Sequence, residues 1–502
     1  MEAVLQAAVD GFWLVFSWPN ILYPVAGTLL AMLISLIPGV SGVALMAMAI
    51  PFTLTWDPLP IMLLFGAFVG GATFMGSVTA ILLNIPGKNS NAATLIDGYP
   101  MAQQGRARTA IGSSAMASAL GSTVGLLMLI LLIPFMRPAM LWLGPAELLM
   151  LVIWGLTTVA VLARGSPVKG LAMAGIGCLL AFVGLDPHTA EPRYTFDTLF
   201  LQDGLKLVPV FIGIFALAES LELAIGSSVS ISGRTRIAEL KGSLFEGVAS
   251  VFRHFGVFLR CSILGTLIGM IPGIGGTVAS FAAYGHAAAH SKDGTFGRGD
   301  VRGVIAPEAA NDAKDGGAFV PTLAFGIPGG SGTAMLLTVL TLHGIAPGRD
   351  MLTTHADLMF VLIWSLFLSN WITSLLGMAC VTPLARVTLL PTQRLVPFIV
   401  VIGALAAYLY RQQMLDVVVA FIFGIVGFLL KRYDWPRIPF VIALILTPLF
   451  ENYLNLTMQL QAIGRIDFWS RPGVLLLVVL TVVSLLSPHV RKRRGGQGGA
   501  SA

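Results

Sequence analysis

Apolar residues run along this chain in long blocks separated by short polar stretches. The blocks lie near 21–37, 42–55, 59–84, 109–135, 140–163, 167–185, 205–227, 251–271, 273–289, 317–343, 355–384, 395–410, 414–430, 437–450 and 473–487. A helix that crosses a bilayer needs ~20 predominantly apolar residues, and many of the blocks have that length. No period-two alternation suggests barrel strands. The shorter blocks read as half-spans or re-entrant segments. The pattern predicts an all-α polytopic membrane protein with about eleven or twelve transmembrane helices.

The blocks are interrupted in a repeated way. Ile-Pro-Gly occurs at 37–39, 85–87, 271–273 and 327–329, each time within an apolar region. Small or polar residues follow each copy: Val40-Ser41-Gly42, Lys88-Asn89-Ser90, Ile274-Gly275-Gly276 and Gly330-Ser331-Gly332. Proline removes a helix hydrogen bond and glycine lets the backbone turn. Each copy therefore predicts a broken helix at membrane depth, where irregular backbone must be buried in protein or line a wet cavity. The copies form two pairs, 48 residues apart (37 to 85) and 56 apart (271 to 327). The offsets between pairs are 234 (37 to 271) and 242 (85 to 327), which predicts an internal duplication with two repeats of broken helices. Ordinary proline kinks are the competing reading of any single copy.

Composition agrees with the blocks. The chain has 502 residues, 56% hydrophobic and 11% charged, against about 25% charged in a soluble domain. The net charge of +6 does not signal nucleic acid. Basic residues sit in short loops: Arg106 and Arg108, Arg164 and Lys169, Arg234, Arg236 and Lys241, Lys431 and Arg432. Arg491-Lys492-Arg493-Arg494 follows the last block and predicts a cytoplasmic C-terminus. The same tail could also hold anionic membrane lipid. No removed signal peptide is expected, and Trp13 and Trp18 suit a membrane interface in a mildly amphipathic segment 1–18. Cys178, Cys261 and Cys380 lie in apolar segments and read as buried thiols rather than a disulfide or metal set.

The expensive polar residues cluster just before the fourth break. In Pro307-Glu308-Ala309-Ala310-Asn311-Asp312-Ala313-Lys314-Asp315, a helix would place Glu308, Asn311, Asp312 and Asp315 on one face. An ionised side chain at bilayer centre costs ~2.5–3.5 kcal/mol on insertion scales, so such a face would mark an ion or proton site. The alternative is a solvated loop start, because 291–303 is hydrophilic. The first half has Gly70-Gly71-Ala72-Thr73-Phe74-Met75-Gly76-Ser77 at the matching place. Its glycines suit close helix contact. Ser77 and Thr79 either offer oxygens to a cation or serve packing, and Asn84 and Asn89 flank the break. Asp97-Gly98-Tyr99-Pro100 reads as a turn. Glu219 and Glu222 face a loop or a partner subunit, His343 reads as interfacial, and Asn370 and Trp371 read as a helix–helix hydrogen-bonding pair.

Several of these motifs carry a resemblance. Ile81-Leu82-Leu83-Asn84-Ile85-Pro86-Gly87, Asp97-Gly98-Tyr99-Pro100-Met101-Ala102, Pro307-Glu308-Ala309-Ala310-Asn311-Asp312-Ala313 and Gly326-Ile327-Pro328-Gly329 resemble the large membrane subunit of the tripartite tricarboxylate transporters. The resemblance spans nearly the whole chain. It implies a bacterial inner-membrane secondary transporter that works with a small membrane subunit and a periplasmic solute-binding protein. The implied substrates are tricarboxylates, dicarboxylates or aromatic acids, driven by a Na⁺ or H⁺ gradient with no other cofactor. Two departures stand out. Phe74-Met75-Gly76-Ser77 replaces an expected Tyr-Gly-Gly-Ser, and Lys314 and Asp315 follow the Asn311 motif where small uncharged residues are expected.

The resulting expectation is specific. Half-helix N-termini suit carboxylates, so Gly39, Ser41, Gly42, Asn84, Pro86, Gly87, Asn89, Gly273, Gly275, Gly276, Gly329 and Ser331 are the expected substrate site. Ser77, Thr79, Glu308, Asn311 and Asp312 are the expected cation site, supplying oxygens that suit a hard cation. The layout expected is an interfacial segment 1–20, a first transport repeat 21–200, a connector 201–250, a second repeat core 251–350, scaffold or partner-contact helices 351–487 and a basic tail 488–502. An elevator and a rocking movement both fit. A stand-alone anion channel or exporter and a lipid-modifying membrane enzyme are the alternatives. The enzyme lacks a His-Glu-x-x-His set, and Gly87-Lys88 lacks the flanking residues of a nucleotide-binding loop.

Overall fold

A computed structural model describes residues 2–35, 40–161, 166–225, 241–381 and 392–495. They are almost entirely helical; two short strands, Gly184–Leu185 and Pro192–Arg193, form one antiparallel pair. Among the described residues, six helices are long and apolar enough to cross a membrane. A seventh forms if Leu244–Arg253 and Phe255–Gly269, bent by 78° at His254, count as one span. Eight shorter apolar helices accompany them. The chain is a multi-pass α-helical membrane protein, as its apolar blocks predict.

The packing is reciprocal between halves. The long helix Ala107–Trp142 lies along Arg302–Phe325, and Ala356–Ala379 lies along Pro58–Gly71. Later in each half, Pro167–Ala181 packs on Arg437–Ala462, and Met414–Arg432 packs on the Leu207–Ile225 segment. Glycines set these contacts. A Cβ on Gly121 or Gly125 would come within 2.4 or 2.2 Å of the carbonyl oxygens of Ala309 and Ala313. Gly177 meets the Phe440 carbonyl at 2.5 Å and Gly213 that of Ala420 at 2.4 Å by the same construction. In lipid, where tails are as apolar as leucine, such close backbone approach is a main source of helix association.

The breaks form as predicted, with local geometry that explains them. Met75–Leu83 ends at Asn84, which takes the left-handed conformation (φ 58°) immediately before Ile85-Pro86-Gly87. Arg302–Phe325 ends at Gly326 in the same conformation (φ 68°) immediately before Ile327-Pro328-Gly329. A left-handed cap turns the chain out of the helix, and the proline two residues on cannot continue it. Gly273 (φ 79°) and Gly275 (φ 70°) make the corresponding turn between Phe255–Gly269 and Gly275–Ala289. Ile37-Pro38-Gly39 lies outside the described residues, so the Gly39 expectation has no structural counterpart here.

Several sequence expectations need correction. Residues 97–100 are not a turn. They belong to the helix Ala92–Gln103, and Asp97 is fully buried. Its carboxylate accepts the amides of Gly299 and Asp300 (2.8 and 2.9 Å) and the Tyr284 hydroxyl (2.9 Å). The 317–343 block is two helices, and the first begins at Arg302. Its charged residues lower hydropathy and conceal its start. Asn370 bonds the Leu366 carbonyl of its own helix (3.0 Å), whereas neighbouring Trp371 reaches across to Thr123 (3.2 Å).

Candidate functional site

The acidic segment is helix, not solvated loop. Glu308, Asn311 and Asp312 are each 1% exposed within Arg302–Phe325. Buried carboxylates need polar partners, and these have them. Glu308 Oε1 accepts the Ser77 hydroxyl at 2.6 Å and also the Thr94 hydroxyl. Its Oε2 accepts Ser114 Oγ at 3.0 Å. Asp312 Oδ2 accepts Ser118 Oγ at 2.7 Å. One acid pair thus draws donors from Met75–Leu83, Ala92–Gln103 and Ala107–Trp142.

Among the described residues, three polar atoms beside this network have no partner: Asn311 Oδ1, Asn311 Nδ2 and Asp312 Oδ1. Leaving a buried polar group unmade costs ~1–3 kcal/mol, more when charged, so each marks a place where a ligand would be welcome. Lys314 forms an ion pair with its neighbour Asp315.

The second, third and fourth breaks gather around this helix. Asn91, in the turn after the second break, donates Nδ2 to Ser77 Oγ (2.6 Å) and accepts the Lys88 amide on Oδ1 (3.2 Å). That turn packs against both Gly275–Ala289 and Arg302–Phe325. The third and fourth breaks touch directly, Gly273 N donating to Gly329 O at 3.1 Å. The helix that follows the first Ile-Pro-Gly copy, Gly42–Thr53, packs beside Ser331–Leu342, the helix that follows the fourth. Ser41 itself looks elsewhere: its amide donates to buried Glu219 (2.8 Å), and its hydroxyl caps Ala44. Glu219, 5% exposed and 3.9 Å from Arg437, faces the protein interior.

The predicted residues divide accordingly. Ser77, Glu308, Asn311 and Asp312 come together. Thr79 is buried nearby, but its hydroxyl donates to the Gly76 carbonyl (2.9 Å). Asn84 and Asn89 are exposed, Asn84 being a helix cap. The glycine amides are not free donors. Gly87 N bonds Gly76 O (3.1 Å), Gly273 N bonds Gly329 O, and Gly329 N bonds Thr322 Oγ1 (3.3 Å). These glycines are needed for closeness instead: a Cβ on Gly87 would lie 2.5 Å from Gly76 Cα, and one on Gly329 2.7 Å from Ala318 Cβ. Gly275 and Gly276 open a helix and Ser331 opens another, where N–H groups lack intrahelical acceptors. Pro86 is half-buried within the second break, and Gly42 packs against Ala72.

Sequence reasoning missed Asn91, Thr94, Ser114 and Ser118. Ser114 and Ser118 share the four-residue spacing of Glu308 and Asp312. That match carries meaning only once the two helices are known to face each other.

Comparison with known proteins decides the family. The model of the Tripartite tricarboxylate transporter TctA family matches residues 21–442. The chain belongs to this family. An Agrobacterium vitis protein described as an uncharacterized 52.8 kDa protein in the TAR-I ttuC' 3' region is 33% identical over 491 residues, covering 96% of each chain. A second, an uncharacterized protein in the TAR-II ttuC' 3' region of the same organism, is 30% identical over 234 residues, 46% of this chain and 97% of the relative. No solved structure matches. TctA membership makes this chain the membrane component of a tripartite transporter, a transport rather than an enzyme family. The matched range contains the acid pair, its hydroxyl donors and all four Ile-Pro-Gly copies.

Proposed function

We propose that this chain is the permease of a binding-protein-dependent system that takes up small organic carboxylates by symport with Na⁺ or H⁺. The observation that carries the reading is the unpartnered Asn311 amide and Asp312 Oδ1 beside a buried acid pair, where the broken segments meet. Carboxylate and amide oxygens suit a hard cation. The first residues of Gly275–Ala289 and Ser331–Leu342 bring helix N-termini that favour an anion. A cation that neutralises Asp312 makes the neighbouring anion site easier to fill, and that is the coupling.

Loop charges support an orientation. One face gathers basic loops: Arg106 bonds Gly299 O (3.5 Å), Arg108 N bonds Lys241 O (3.0 Å), and Lys169 bonds Tyr433 O (3.1 Å) beside Lys431 and Arg432. On the opposite face three arginines are neutralised, Arg193 by Glu451 (2.5 Å), Arg411 by Asp416 (2.6 Å) and Arg471 by Glu147 (2.5 Å), while on the basic face Lys431 pairs with Glu222 and Arg302 with Asp300. The last helix, Pro472–Gly495, starts on that neutralised face and ends with the basic tail on the other. Positive loops stay inside, so the C-terminus is cytoplasmic in a bacterial inner membrane. The neutralised face then receives the periplasmic binding protein, and the small membrane subunit completes the complex.

The test is uptake of labelled carboxylates by proteoliposomes holding the chain, its membrane partner and the binding protein. Asn311→Ala is expected to weaken cation dependence at least tenfold while the protein still inserts. Gradient-independent flux through the wild type would favour the channel alternative. An unchanged sodium or proton dependence in Asn311→Ala would remove that residue from the ion site.

A further inference from the structure

The junction of the broken segments holds two lysines that the acid pair does not use. Lys88 follows the second break, and Lys314 lies just after Asn311. Lys314 reaches the start of Gly275–Ala289, and Lys88 adjoins a turn that packs on the same helix. A Cβ built on Gly276 would lie 2.6 Å from Lys314 Cε and 2.6 Å from Asn311 Oδ1, so both side chains cross that first turn. The turn Asn89–Asn91, adjacent to Lys88, packs on the same helix. Lys88 is half-buried and within electrostatic reach of Lys314, Asp315 and Asp312. Among the described residues, its ammonium has no hydrogen-bond acceptor and no ion pair, while Lys314 is held by Asp315. Asn311, 1% exposed, has no partner for either amide atom.

Two ammonium groups within electrostatic reach of each other in a partly buried site repel, and burial adds to the cost. The N-terminus of a fifteen-residue helix adds partial positive charge at the same spot. An anion placed between them relieves all three at once. A monocarboxylate satisfies one ammonium and leaves the other alone. An anion with two separated carboxylates satisfies both.

We infer that Lys88 and Lys314 form a two-point anion site in which each ammonium binds one carboxylate of a di- or tricarboxylate substrate. This site rests on the transporter reading above. Asp315 holds Lys314 while substrate is absent, and a substrate carboxylate takes its place. Asn311 completes the site: its amide offers N–H to the substrate and oxygen to the cation, so it links the two ligands.

The experiment is reconstituted uptake, with both partner proteins, of labelled citrate, succinate and benzoate. Lys88→Gln is expected to raise KM for citrate and succinate at least tenfold and KM for benzoate as well, because Lys88 is the ammonium that a single carboxylate finds unpaired. Lys88→Arg, which keeps the charge, should recover most of the loss. The double substitution Lys314→Gln with Asp315→Asn removes the ion pair without stranding a charge. It should shift preference from citrate toward benzoate by at least tenfold. Insertion is checked for every variant by size-exclusion elution in detergent. Correctly inserted variants whose three KM values stay within twofold of wild type would overturn the two-point site and leave the transporter reading standing. A wild-type complex that moves none of the three under either gradient would overturn the transporter reading and this site with it.

Discussion

The two halves of the molecule carry the same backbone device and different chemistry. In each, a helix ends in a left-handed cap, turns through Ile-Pro-Gly and resumes. In each, the long helix that follows crosses to the partner half and presents two hydroxyls four residues apart. On Ala107–Trp142 these are Ser114 and Ser118, and they donate to the carboxylates of Glu308 and Asp312. On Ala356–Ala379 they are Ser365 and Ser369, and they donate to the backbone carbonyls of Leu63 (2.5 Å) and Ala67 (2.8 Å). The facing helix, Pro58–Gly71, offers no carboxylate, only glycines and apolar side chains. Shape is duplicated, charge is not. One half makes a hydroxyl-to-backbone contact, and its counterpart a hydroxyl-to-carboxylate one.

Glu308→Ala should separate the halves most sharply. It strands three hydroxyl donors, and uptake is expected to fall at least a hundredfold. Thermal unfolding in detergent should show a loss of about 2 kcal/mol or more, from unmade buried hydrogen bonds. Uptake within tenfold of wild type would break the assignment of the site to the second half. Next comes glycine packing. Gly125→Ala puts a methyl 2.2 Å from the Ala313 carbonyl oxygen, whereas Gly66→Ala meets that of Leu362 at 3.0 Å. Overpacking costs roughly 1–3 kcal/mol. Gly125→Ala should fall at the upper end and Gly66→Ala near the lower, measured by the same unfolding transition. Equal effects would mean that the two crossings are equally tight. The smallest difference is between the serine pairs. Ser118→Ala should weaken the apparent affinity for the coupling ion several-fold, because Asp312 loses its donor. Ser369→Ala should leave ion dependence untouched. Matching ion titrations in the two variants would deny the asymmetry.

Much of this was legible in the chain. Proline and glycine write the breaks directly, and the i, i+4 spacing of Glu308 and Asp312 predicts a shared face. What could not be read was which helices face each other. Ser114 and Ser118 are ordinary small polar residues of a membrane helix until Arg302–Phe325 is laid beside them. The glycine amides were misread for the related reason that a donor looks free until its acceptor, here Gly76, Thr322 or Gly329, is found across the fold. Asp97 was misread as a turn because Asp-Gly and Tyr-Pro are turn dipeptides in isolation. Tertiary contact with Gly299, Asp300 and Tyr284 decides otherwise.

That buried Asp97 has a mechanical meaning. It rivets three pieces: its own helix Ala92–Gln103, the loop at 299–300, and Gly275–Ala289 through Tyr284. The helices that follow the second and third breaks are therefore tied to each other and are expected to move together. A covalent cross-link between them is expected to leave uptake intact, and a cross-link that stops it would mean that they move separately. The freedom needed for alternating access has to lie outside the rivet, where the breaks themselves turn the chain.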